Sequence, residues 1–127
     1  MTRSKPVDAA DLKQLGPVLT VTGQIAPPDV QALAELGYRS IIGNRPDGEE
    51  ADQPDWQSIA VAAEQAGMDA RHIPVGGDFT VQDQSARFAR ALADMPTPIL
   101  AYCRTGNRST QLFEAVSGTT DGQQAQE

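Results

Sequence analysis

The feature that most constrains this chain is a strict alternation of short β-rich runs with stretches of helical period, most of them closed by a glycine or proline. Residues 17–22 (Pro-Val-Leu-Thr-Val-Thr) read as a strand ending at Gly23. Pro27-Pro28-Asp29 opens a helix with apolar Val30, Leu33, Ala34 and Leu36, and Gly37 stops it. Tyr38 to Ile42 is the second strand, and Asn44 to Pro54 is a loop by composition. Asp55 suits a helix N-cap, and Trp56, Ile59, Ala60, Ala63 and Ala66 follow a helical period to Gly67. Met68 to Val75 is the third strand, broken by Gly76-Gly77-Asp78. Thr80 and Asp83 have capping-box spacing ahead of a helix with Phe88, Ala91, Leu92 and Met95 on its apolar face. After Pro96-Thr97-Pro98, the run Ile99-Leu100-Ala101-Tyr102 delivers Cys103. A short helix is expected from about Ser109 to Val116. Residues 1–16 read as a polar lead-in, 17–116 as one domain and 117–127 as a disordered tail.

The order β-α-β-α-β-α-β-α predicts an α/β fold: a mainly parallel sheet with helices on both faces, a three-layer α/β/α sandwich. In such sheets ligands bind beyond the carboxyl ends of the strands. Cys103, Asn44-Arg45 and Gly76-Gly77-Asp78 all follow strand ends and are expected on one rim.

Composition narrows the chemistry. The 127 residues carry 10 Lys+Arg against 17 Asp+Glu, a formal charge of −7. That balance argues against nucleic acid and anionic membrane surfaces as partners, since both need clustered Lys/Arg. No run approaches the roughly 20 apolar residues of a membrane span. Met1-Thr2-Arg3-Ser4-Lys5-Pro6 does not read as a signal peptide, so a cytoplasmic protein is expected. Cys103 is the one cysteine and His72 the one histidine, which excludes an internal disulfide and a multi-histidine metal site. No metal and no cofactor is implied.

The chemistry concentrates in Cys103-Arg104-Thr105-Gly106-Asn107-Arg108-Ser109. Successive backbone N–H groups between a strand and a helix form an anion-binding concavity, and the helix N-terminus adds free donors. Gly106 permits a backbone shape that a side chain hinders. Arg108 offers a planar fork for an oxyanion. Such a cradle favours the thiolate of a cysteine placed in it, which is how a nucleophile for an anionic substrate is built. Cys103 and Arg108 are the principal catalytic candidates. Arg104, Thr105, Gly106, Asn107, Ser109 and Arg45 are candidates for substrate binding.

The spacing is Cys-x4-Arg. The loop resembles that of cysteine phosphatases, which have Cys-x5-Arg, and resembles rhodanese-type sulfurtransferases in its shorter length and its Cys-Arg-x-Gly start. A persulfide adds one sulfur above the thiolate and fits a small cradle, whereas a phosphoryl group brings three equatorial oxygens. Loop length therefore favours sulfur. Over residues 17–116, Gly23-Gln24-Ile25, the run Asn44-Arg45-Pro46-Asp47-Gly48-Glu49-Glu50 and Ile73-Pro74-Val75 resemble the bacterial family of small dual-specificity-phosphatase-like domains. Members of that family occur alone or fused to β-lactamase-like persulfide dioxygenase domains. The resemblance implies a cysteine-phosphatase-like fold carrying a rhodanese-length loop, with a role in sulfide and persulfide handling. Tyr102 stands where phosphatases usually have histidine, which counts against a phosphatase.

The expected activity is sulfur transfer. The Cys103 thiolate takes the outer sulfur of a small anionic donor such as thiosulfate or glutathione persulfide and passes it to a thiol or cyanide acceptor. A persulfide dioxygenase or sulfide-oxidising enzyme is the implied partner. The alternative is a cysteine phosphatase, which needs a general acid. Asp78, 25 residues before Cys103, is the candidate, with a turn aspartate as its simpler reading. A third reading is a catalytically silent anion-binding module. Arg45 serves the rim or, slightly favoured, pins its own loop through Glu49 or Glu50. His72 is expected to be a hydrogen-bonded sheet residue, and Trp56 and Phe88 core residues.

Overall fold

The computed structural model describes residues 12–126, with side chains described through residue 117. Five strands form one sheet: β1 (Lys13–Gln14), β2 (Leu19–Thr22), β3 (Ser40–Gly43), β4 (Asp69–His72) and β5 (Ile99–Tyr102). The helices are α1 (Pro27–Glu35), α2 (Trp56–Gln65), α3 (Val81–Asp94) and α4 (Asn107–Gln126). The strand order is β1-β2-β5-β3-β4. β2, β5, β3 and β4 run parallel, and β1 alone is antiparallel. The expected α/β sandwich is therefore present.

Side chains alternate across the sheet with a period of two. Ile42, Ile99 and Ala101 point to one face, where Phe88 and Ala91 of α3 and Leu112 of α4 cover them. Ile41, Leu100 and Tyr102 point to the other, beneath Val30 and Leu33 of α1 and Ile59 and Ala63 of α2. Burial on both faces explains why β5 reads as an unbroken apolar run. Its central position puts Cys103 at the middle of the rim.

The helix starts follow local chemistry. Asp55 accepts from the Ser58 N–H at 2.9 Å and caps α2. Thr80 and Asp83 exchange reciprocal hydrogen bonds of 3.0 Å at the head of α3, the capping box expected from their spacing.

Two local expectations change. The lead-in 1–16 contains β1, whose Lys13 and Gln14 pair with Val21 and Thr20. Two polar residues carry no hydrophobic pattern, so such an edge strand leaves no trace in the sequence. α4 begins at Asn107 and not near Ser109, because the Gly106 carbonyl already accepts from the Thr110 N–H at 3.0 Å. Asn107, Arg108 and Ser109 thus occupy its first turn. Its backbone continues to Gln126, into the stretch expected as a tail, 117–127, whose side chains beyond 117 lie outside the described residues. The lead-in up to residue 11 lies outside them as well.

Candidate active site

Cys103 follows β5 directly, and its N–H donates to the Thr22 carbonyl at 3.3 Å. The thiol is fully buried. Its Sγ accepts a hydrogen bond from the Gly106 N–H at 3.0 Å, so the loop closes on the sulfur from the helix side. Gly106 sits at φ +92°, and a Cβ there would stand 3.4 Å from the Thr22 backbone. The turn therefore needs glycine for its conformation, while a Cβ would meet Thr22 only at ordinary contact distance. Gly23 lets the Arg104 carbonyl approach β2, where the Gln24 N–H reaches it at 3.3 Å.

Arg108 is committed to partners. Its Nη1 and Nη2 hold the two carboxylate oxygens of Glu49 at 2.6 and 2.9 Å, and Nη1 also donates to the Val75 carbonyl at 2.8 Å. The Glu49 hydrogen bond is the main cause raising the guanidinium pKa further, and the adjacent Cys103 adds to it. In turn Arg108, with Arg45, holds the Glu49 carboxyl below its ordinary range against a partial desolvation cost. Gly76 packs against this pair: a Cβ there would come within 2.9 Å of Arg108 Nη1 and 3.2 Å of Glu49 Oε2.

Arg45 is buried. It donates to Glu49 at 3.0 Å, to Gln24 Oε1 at 3.0 Å and to Glu50 at 2.9 Å. It pins its loop, as favoured from the sequence, and still lines the cleft. That cleft, about 380 Å³, is walled by Arg45, Glu49, Glu50, Arg104 and Arg108. Arg104 is exposed, with its nearest carboxylate, Glu50, 3.8 Å away. Thr105 and Asn107 are exposed on the other side of the loop, where the Asn107 N–H reaches Thr105 Oγ1 at 3.3 Å. They line a second hollow with Lys13, Thr22, Gly106 and Thr110. Ser109 is buried and its hydroxyl has no hydrogen-bond partner among the described residues.

Asp78 is exposed at the tip of a tight turn closed by the Gly76–Phe79 bridge, and forms no hydrogen bond or ion pair among the described residues. Its turn role is evident; nothing orients its carboxylate toward the Cys103 loop. His72 is a sheet residue: Nε2 lies 3.0 Å from the Arg45 carbonyl and the ring stacks on Trp56 at 5.0 Å. Tyr102 is buried below the site, and burial pushes its phenol well above the ordinary range. Sequence reasoning placed Glu49 beside Arg45 but missed its grip on Arg108, which is 59 residues distant. Among the described residues no group of three His, Cys, Asp or Glu is placed to hold a metal ion. Nor, among the described residues, is any helix long and apolar enough to cross a membrane.

A buried cysteine at the end of a central parallel strand, a glycine turn closing on its sulfur and an arginine in the first turn of the next helix define a cysteine-phosphatase-like domain. The chain belongs to the family described as Beta-lactamase hydrolase-like protein, phosphatase-like domain, which matches residues 11–120. It is 38% identical over 103 residues to the Beta-lactamase hydrolase-like protein of Agrobacterium fabrum, covering 79% of this chain and 24% of that protein. A Xylella fastidiosa protein of the same name is 36% identical over 104 residues, covering 82% and 24%. The chain thus spans about a quarter of the length of these curated relatives. Among solved structures, a Neisseria meningitidis protein with a proposed phosphatase assignment superposes with TM-score 0.73 at 38% identity, covering 84% of this chain and 75% of that one. The catalytic core of the yeast PP-IP phosphatase Siw14 has TM-score 0.67 at 13% identity, covering 90% and 68%, a likeness of fold alone. These comparisons support the phosphatase-like part of the sequence expectation; the rhodanese-type specificity draws no support from them.

Proposed function

We propose that the domain hydrolyses a small phosphorylated substrate through Cys103. The hydrogen bond from the Gly106 N–H to Cys103 Sγ carries the reading, because it builds the sulfur into the head of α4, where backbone donors favour negative charge. The family and the Neisseria structure support phosphorus as the target over sulfur. The Cys103 thiolate attacks phosphorus, and the bond to the leaving oxygen breaks with its electron pair going to that oxygen. Water then attacks the phosphocysteine, breaks the S–P bond, loses a proton to solvent and frees inorganic phosphate and the thiolate. Loop amides and Arg108 stabilise the charge on the equatorial oxygens.

The site presents no poised acid: Glu49 is held ionised by two arginines and Asp78 stands on an exposed turn. Substrates whose leaving group departs as a stable anion, such as aryl or acyl phosphates, suit it best. Cys103-dependent phosphate release from p-nitrophenyl phosphate, absent in Cys103→Ser, is the expected result.

One observation favours a second reading, sulfur transfer: the Cys-x4-Arg loop is a residue shorter than a phosphatase cradle. There the thiolate attacks the outer sulfur of thiosulfate, the S–S bond breaks, sulfite leaves with the electron pair, and a thiol takes the sulfur from the Cys103 persulfide. A sulfide-oxidising enzyme such as a persulfide dioxygenase is then the partner. No phosphate release, with a one-sulfur mass gain on Cys103 after thiosulfate, puts this reading first. Neither signal leaves a silent anion-binding module.

A further inference from the structure

The fork of Arg108 is already occupied. Glu49 takes both terminal nitrogens in the bidentate arrangement that an incoming oxyanion would adopt, and its Oε1 also accepts from Arg45 Nε. The nucleophile beside this pair is fully buried. Neither arginine depends on Glu49 alone for its place. Arg108 keeps the Val75 carbonyl, and Arg45 keeps Gln24 and Glu50. Gly76 packs closely against the pair, where a Cβ would meet both Arg108 Nη1 and Glu49 Oε2.

We propose that Glu49 is an internal competitor for the substrate anion: it fills the Arg108 seat in the free protein, and a ligand binds by displacing it. The site is thereby selective for groups that match two oxygens and a charge against the fork, the dianionic tetrahedral oxyanions, over singly charged ligands. Glu49 acts through Arg108 and makes no bond to the reacting atoms. The inference rests on the reading that the Cys103 cradle takes an anion, and it deepens that reading by naming what the anion must outcompete.

The neighbouring Glu50 provides the control. It lines the same cleft and carries the same charge, but it bonds Arg45 and leaves Arg108 untouched. Inorganic phosphate is titrated at fixed ionic strength, and its dissociation constant is taken from the rise in melting temperature of the intact chain. Glu49→Gln is expected to tighten phosphate about tenfold or more, the equivalent of ~1.4 kcal/mol, with a much smaller change for Glu50→Gln. Equal tightening in both variants would mean that only net charge matters, and would overturn the proposal. No change or weaker binding in Glu49→Gln would make Glu49 a support for Arg108 and overturn it too, as would no phosphate binding in either protein. Should Glu49→Gln not fold, Glu49→Asp keeps the charge but shortens the arm, and tightening is again expected. The titration needs no turnover. Tightening in a protein that releases no phosphate from p-nitrophenyl phosphate would sink the hydrolase reading alone, and turnover with unchanged binding would sink this one alone.

Discussion

The Gly106 N–H and the Cys103 Sγ lie 3.0 Å apart, and the glycine that supplies the donor also caps the helix that carries Arg108. One residue therefore couples the nucleophile to the arginine. Replacing it tests the coupling. In Gly106→Ala the added Cβ forces a side-chain-bearing residue into φ +92°. A loss of about 1–3 kcal/mol is expected from the backbone strain. Denaturant unfolding checks this, and Cys103-dependent turnover should fall well beyond what the stability loss explains.

Arg108→Lys keeps the charge but removes the fork. A lysine cannot hold both Glu49 oxygens and the Val75 carbonyl at the angles that Arg108 uses. Turnover on an aryl phosphate should fall by about 10²-fold or more, the cost of losing an oriented oxyanion donor. An activity within threefold of wild type, by the same assay, would remove Arg108 from the mechanism.

Asp78→Asn should leave kcat on p-nitrophenyl phosphate unchanged, because the carboxylate stands exposed on its turn. A comparison of aryl and alkyl phosphates sharpens the test. A general acid would show its loss most on the alkyl ester, whose leaving oxygen needs a proton. A selective fall there would restore Asp78 as the acid.

Acid should weaken the fold through Glu49. Its pKa in the folded chain lies below the ordinary value of 4.5 because Arg108 and Arg45 favour the ionised form. Such a group contributes stability that is present above its unfolded pKa and lost as pH falls through the folded one. Urea unfolding of wild type and Glu49→Gln should therefore converge as the pH is lowered from about 6 through the carboxylate range toward about 3. A constant gap across that range would mean that the ion pair is not stabilising.

Much of the architecture was legible because its causes are local. Asp55 reaches Ser58 and Thr80 reaches Asp83, each three residues along the chain. Two-faced burial makes β5 a plain apolar run, and a cysteine, a glycine and an arginine between that strand and a helix announce the cradle. Helix and strand periods, caps and the Gly106 turn depend on neighbours within a few residues, so the linear order carries them. The contacts that govern the site do not. Glu49 meets Arg108, Gln24 meets Arg45 and the Val75 carbonyl meets Arg108 because β5 lies between β2 and β3 in a parallel register. The two-residue β1 forms because β2 offers it a free edge. Whether an arginine faces a substrate or a glutamate is a matter of which strands lie side by side, and that choice belongs to packing across the whole sheet.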